Sequence, residues 1–304
     1  MTFLKLRPVS TLASLAVLGA LGACSDKGTD AAPTIVGGQV VTESSARGPE
    51  YRSTVAVTHE GAASAGRSYC SGTLVDAKRN LVLTAAHCFQ DIAPGKHFVF
   101  FGTSVTGKRT GTLLRATRVI VHPGYDHELT VQSARNMRPS HDIALLRFEG
   151  VVPAGFEATA LPASGESIPT NMLLAGFGTT GALRRDPRTG SPLADRFGML
   201  MTQSDTGTLR SVSVAVSALH SGGQVFGVRG RNGRPEGACP GDSGGPAYAK
   251  ASSTWKVYGV LSTGRVGGAD TNGDGRMDVG CTGVNTYTDV RGYASFLQSA
   301  ATRL

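Results

Sequence analysis

Gly241-Asp242-Ser243-Gly244-Gly245-Pro246 sets a serine among glycines, next to an aspartate. A serine hydroxyl is a poor nucleophile near neutral pH. It needs an imidazole to take its proton and a carboxylate to orient and stabilise that imidazole. Two upstream segments, Thr84-Ala85-Ala86-His87-Cys88 and Asp142-Ile143-Ala144-Leu145-Leu146, supply those partners in the order His87, Asp142, Ser243. Singly, a serine between glycines reads as a turn, a histidine as surface or core, and an aspartate before an apolar strand as a turn cap. Their joint occurrence points to nucleophilic acyl transfer. The six other histidines, including His141 beside Asp142, have no such flanking sequence and read as structural or exposed.

With Ile35-Val36-Gly37-Gly38, these segments resemble the chymotrypsin/trypsin family of serine endopeptidases, and the resemblance runs from Ile35 to the C-terminus. It implies an all-β fold of two packed six-stranded antiparallel β-barrels with the active site in the cleft between them. Barrel one would cover residues 35–150, barrel two residues 165–290 and a C-terminal helix residues 290–303. It also implies roles: Ser243 as nucleophile, His87 as general base and then acid, Asp142 as the buried carboxylate. Protein or peptide substrates follow, and catalysis would need no cofactor. The N–H groups of Gly241 and Ser243 would form the oxyanion hole, since backbone donors can meet the developing charge only where no side chain blocks them.

The chain's own patterning agrees. Its 304 residues suffice for one large core or two packed β units. After Ile35, β-branched runs alternate with glycine-rich turns at 53–58, 81–84, 97–102, 113–122 and 143–148, then at 172–177, 209–216, 246–248, 257–262 and 285–288. A Pro/Gly-containing connection at 152–169 separates the two sets. Apolar residues at Tyr293, Phe296, Leu297 and Ala300 recur at helical spacing, consistent with a helix packed on the second barrel.

Residues 1–23 carry Lys5 and Arg7 and then an apolar run too short to span a bilayer, the pattern of an export signal. Leu21-Gly22-Ala23-Cys24 looks like a bacterial lipoprotein box, which would lipidate Cys24 and tether the chain to a membrane through polar residues 24–34. An ordinary signal cut near Ala23 is the alternative. Four further cysteines, an even number in an exported chain, argue for disulfides. The resemblance pairs Cys70 with Cys88 and Cys239 with Cys281. The net charge of +8, or +6 without residues 1–24, is spread over many loops, which argues against nucleic-acid binding.

The resemblance further links Ile35 to Asp242: cleavage before Ile35 would free an ammonium to bury beside that carboxylate and shape the pocket. Thr34 precedes the bond, so a trypsin-like activator would not recognise it, and a different protease, or the protein itself, must cut it. Gly237 and Ala238 fall at the pocket base, where trypsin-like members carry an aspartate. Ser262, Thr263 and Gly264 match the strand that pairs with substrate backbone. Thr263 and Phe177 stand where the family usually has tryptophan. A neutral base and an open Gly264 imply cleavage after apolar residues, unless Glu236 or an acid of 270–289 reaches the base. Asp270, Asn272, Asp274, Arg276 and Asp278 have the spacing of a calcium loop, while a polar turn is the plainer reading. A different function class, an inactive homologue serving as a surface binding module, would be expected to lack a triad member. This chain has all three.

Overall fold

The computed structural model describes residues 35, 38–43, 48–60, 70–90, 95–105, 111–179, 188–189, 207–220, 224–231, 236–264, 268–269, 278–279 and 284–304. The expected signal, Cys24, the tether, Cys281 and calcium-loop residues Asp270, Asn272, Asp274 and Arg276 lie outside these. No helix among the described residues is long and apolar enough to cross a membrane.

Six strands close the first barrel in the order β2-β3-β4-β7-β6-β5. They are β2 (Thr54–His59), β3 (Cys70–Asp76), β4 (Leu81–Thr84), β5 (His97–Gly102), β6 (Gly111–Val121) and β7 (Ala144–Phe148). Inward residues such as Val55, Leu74, Val82, Val99 and Phe101 are fully buried. In β7 only Arg147 faces out, so a single polar position marks the solvent side of an otherwise apolar run.

The second barrel runs β9-β10-β15-β12-β11-β8, and the β8–β9 pairing closes it. Its strands are β8 (Asn171–Gly176), β9 (Arg210–Leu219), β10 (Val225–Gly230), β11 (Pro246–Ala251), β12 (Thr254–Gly264) and β15 (Asn285–Asp289). The short β1 (Gln39–Val40) pairs with the start of β9, which brings the segment after Ile35 onto this barrel. A two-residue ladder joins β13 (Gly268–Ala269) to β14 (Asp278–Val279).

Two short helices precede β2 and β7: α1 (Pro49–Arg52) and α2 (His127–Asn136). The segment 125–140, which reads as a long loop, thus holds a helix. Asp126 starts it, its carboxylate accepting the Leu129 N–H at 3.0 Å.

After a 3-10 turn at Val290–Tyr293 the chain ends in α3 (Ala294–Arg303), with Leu297 and Ala300 buried. The sequence expectation put this helix on the second barrel; its contacts run instead to the first. α3 packs beside β7, Phe296 meets the His122 ring just past β6 at 4.7 Å, and Arg118 of β6 donates to the Arg303 carbonyl at 2.7 Å. Strand arginines thereby meet the negative end of the helix dipole.

Candidate active site

His87 sits in the 3-10 turn Ala86–Phe89 that follows β4, anchored by the Cys70–Cys88 disulfide to the start of β3. Asp142 lies just before β7 and is fully buried. Its Oδ1 accepts the His87 backbone N–H at 2.9 Å, and its Oδ2 is 2.8 Å from His87 Nδ1 and accepts Ser262 Oγ–H at 2.7 Å. Thr288 Oγ1 donates to the Asp142 carbonyl at 2.9 Å, fixing the backbone as well. Burial pushes the Asp142 carboxyl up, but the His87 charge and the hydrogen bonds from His87 and Ser262 outweigh it and hold the pKa below the ordinary value. For His87, burial pushes down, and the Asp142 charge and hydrogen bond win and raise the pKa.

Ser262 reaches Asp142 because β12 has a bulge there: the register with β15 slips between Leu261 and Thr263. A bulge re-aims one side chain without ending the strand. Thr263 and Gly264 beyond it are partly exposed.

Ser243 is partly exposed in the tight turn before β11. Its carbonyl accepts the Ser71 N–H at 2.7 Å and lies 3.8 Å from Cys88 Sγ, so the serine stands beside the residue that follows His87. No hydrogen bond joins Ser243 Oγ to His87 among the described residues; such bonds are often long before substrate binds. Gly241 has φ +96, a left-handed conformation that suits glycine, and an added Cβ there would meet Gly178 Cα at 2.9 Å. Among the described residues, no acceptor takes the N–H of Gly241 or of Ser243.

Asp242 is buried between these two donors. Its Oδ1 accepts the Gly178 N–H at 2.7 Å and its Oδ2 the Cys239 N–H at 2.9 Å. A Cβ on Gly178 would fall 2.5 Å from its Cγ, which accounts for glycine at that position. The Asp242 carboxyl is raised to about 7: burial pushes it up, and the two N–H bonds and the Arg210 charge offset this only in part. Ile35 is buried in the second barrel's core with φ +38, a region that β-branched residues rarely adopt. Among the described residues, no hydrogen bond joins Ile35 to Asp242.

At the expected pocket base, Gly237 and Ala238 are buried. The Asn285 amide clamps Ala238: Oδ1 accepts its N–H at 2.9 Å and Nδ2 donates to its carbonyl at 3.1 Å. Asn285 also pairs with Gly264 across the β12–β15 ladder. Sequence reasoning assigned no role to Asn285, Thr288 or Ser71, and only the small, polar make-up of the Ser71 and Thr288 strands hinted at one. Cys239 is disulfide-bonded, and its expected partner Cys281 lies outside the described residues. Cys70, Cys88 and His87 cluster closely enough for a metal, but both sulfurs are committed to the disulfide.

The family model for trypsin matches residues 35–290. The chain is 29% identical over 208 residues to a trypsin of Saccharopolyspora erythraea, covering 66% of this chain and 77% of that protein. It is 28% identical over 205 residues to chymotrypsin-like elastase family member 1 of Rattus norvegicus, covering 64% and 67%. Human heparin binding protein shares the fold with TM-score 0.59 at 18% identity, covering 88% of this chain and 97% of that one.

Proposed function

Because the chain belongs to the trypsin family of serine endopeptidases, hydrolases acting on peptide bonds, we propose that it cleaves proteins through Ser243, His87 and Asp142. The observation that carries this reading is the hydrogen-bonded set around Asp142. With Nδ1–H given to the carboxylate, His87 Nε2 is the basic edge of the ring. Nε2 takes the Ser243 proton as Oγ attacks the scissile carbonyl, and the N–H groups of Gly241 and Ser243 meet the oxyanion. The imidazolium then protonates the leaving amine. Water repeats the cycle on the acyl-enzyme and frees Ser243.

Activation follows from Asp242. A buried carboxylate held by two N–H groups and pushed up to about 7 lacks a full counter-charge. The ammonium formed by cutting before Ile35 supplies one. The cut also removes the φ restraint at a β-branched residue. If Cys24 is lipidated, the cut severs the anchor too, so activation is release of an exported, membrane-held precursor. A mature, Ile35-starting enzyme that stays firmly in membranes contradicts this, as does full activity in the intact acylated chain.

A neutral pocket base supports cleavage after apolar residues. Gly237 and Ala238 bring no charge, Asn285 spends its amide on Ala238, and Asp289 pairs with Arg291 at 2.6 Å. A peptide-library profile dominated by Arg and Lys refutes this preference.

The family's chemistry needs no cofactor. Calcium would be structural, held by Asp270, Asn272, Asp274, the Arg276 carbonyl and Asp278, a ligand spacing that suits the ion, in the loop that begins and ends at the β13–β14 ladder. Calorimetry should show millimolar binding that is lost in Asp270→Ala/Asp274→Ala. The whole reading is tested by a fluorophosphonate, which should label Ser243 in the Ile35-starting protein and not in Ser243→Ala.

A further inference from the structure

Gly241 and Ser243, whose N–H groups are read as the oxyanion hole, have a second property in common: the carbonyl of each is tied to Ser71. Ser71 Oγ donates to the Gly241 carbonyl at 3.1 Å, and the Ser71 N–H donates to the Ser243 carbonyl at 2.7 Å. Ser71 is itself held on both remaining sides. Its Oγ accepts the Phe177 N–H at 3.0 Å and its carbonyl accepts Thr84 Oγ1–H at 2.8 Å. The residue is fully buried, so no water competes for these bonds. It follows Cys70, whose disulfide leads to Cys88 beside His87. One side chain on the first barrel therefore spans to the loop of the second barrel that presents the hole.

The reason for such a brace lies in Gly241. A glycine at φ +96 has wide conformational freedom, and rotation about its bonds would swing the N–H away from the substrate oxygen. The peptide plane that carries this N–H is pinned upstream, where the Pro240 carbonyl accepts the Thr179 N–H at 2.9 Å. In a trans peptide that N–H then points away from Thr179. The plane on the other side of Gly241 carries the carbonyl held by Ser71 Oγ. With both flanking planes fixed, the donor direction is fixed before substrate arrives, and preorganisation of this kind gives an oxyanion hole its effect.

We propose that Ser71 is a positioning residue for the oxyanion hole, acting through the Gly241 carbonyl. The proposal rests on the reading of Gly241 and Ser243 as that hole. Its test uses the Ile35-starting enzyme with Ser71→Ala, Ser71→Gly and Ser71→Thr, every rate divided by the active sites counted with a fluorophosphonate. Loss of the hydroxyl should lower kcat roughly 10- to 100-fold, less than removal of a donor outright, and leave KM within about twofold. Affinity for a peptide boronate, which mimics the tetrahedral species, should fall by the same factor as kcat/KM. The acid limb of the pH profile, set by His87, should not move. Ser71→Thr, which keeps the hydroxyl, should recover most of kcat per site.

A Ser71→Ala or Ser71→Gly enzyme with wild-type kcat per site overturns the proposal, as does a loss carried wholly in KM or boronate affinity that does not follow kcat/KM. Those results leave the triad reading intact. Absence of fluorophosphonate labelling in the wild-type Ile35-starting protein removes the triad reading and the Ser71 proposal with it.

Discussion

Asp142 and Asp242 are equally buried, yet they titrate in opposite directions: the first is held below the ordinary carboxylate value and the second is pushed up to about 7. Burial opposes the charged form in both. Partners make the difference. Asp142 has a cation-forming ring at 2.8 Å and a hydroxyl at 2.7 Å, whereas Asp242 has two backbone N–H groups and only the field of Arg210. The His87–Asp142 half of the site is therefore complete in the uncut chain. On the proposed reading, Asp242 belongs to the half that shapes the oxyanion hole and pocket, lacks a full counter-charge in the uncut chain, and gains one from the ammonium of Ile35.

The largest effect should come from breaking the finished half. Asp142→Asn should lower kcat about 10⁴-fold with the fold intact, because the imidazole loses its orientation and its counter-charge. His87 is raised chiefly by Asp142 against its own burial, so the acid limb of kcat/KM should also move to lower pH in this variant. A pH–rate profile reads both effects.

The unfinished half should respond differently before and after cleavage. In the Ile35-starting enzyme Asp242→Asn breaks a buried pair and should cost about 3–5 kcal/mol of the active conformation. In the precursor the sign reverses. Native Asp242, with a pKa near 7, binds a proton that the unfolded chain has already lost above its ordinary value near 3.8. Precursor stability should therefore fall as pH rises from about 4 to about 7, by up to about 4 kcal/mol, and Asp242→Asn should flatten that slope. Urea denaturation at pH 5 and pH 8 tests this.

A smaller effect is expected from Ser262→Ala. It removes one of three hydrogen bonds to the Asp142 carboxylate and should lower kcat roughly tenfold, in line with about 1.5–3 kcal/mol for a bond to a charged group. An unchanged kcat would mean that His87 alone holds the carboxylate.

Much of this was legible in the sequence because it rests on local pattern. The strands at Leu81–Thr84 and His97–Gly102 match their apolar runs, and the three triad residues stand in their own distinctive segments. The β3 strand leaves no apolar run in the sequence because Ser71, Gly72 and Thr73 are small or polar yet buried, and they face partners that no periodicity reveals. For the same reason Ser71 itself was invisible: its four bonds go to residues 13 to 172 positions away. The placement of α3 failed differently. Its apolar face is legible in the sequence, but which barrel receives it depends on Arg118 and Phe296, whose partners are set only by the fold. Opposite behaviour of two buried aspartates is likewise a property of neighbours, not of the residue type.

Labelling of Ser243 by a fluorophosphonate, timed on the uncut precursor and on the Ile35-starting protein at the same pH, tests the proposed division between the two halves most directly. The cut form should react at least about 100-fold faster, matching a buried pair worth a few kcal/mol, and Ser243→Ala should not react in either form. Equal rates for the two forms would contradict the division, for the oxyanion hole would then be built without the Ile35 ammonium.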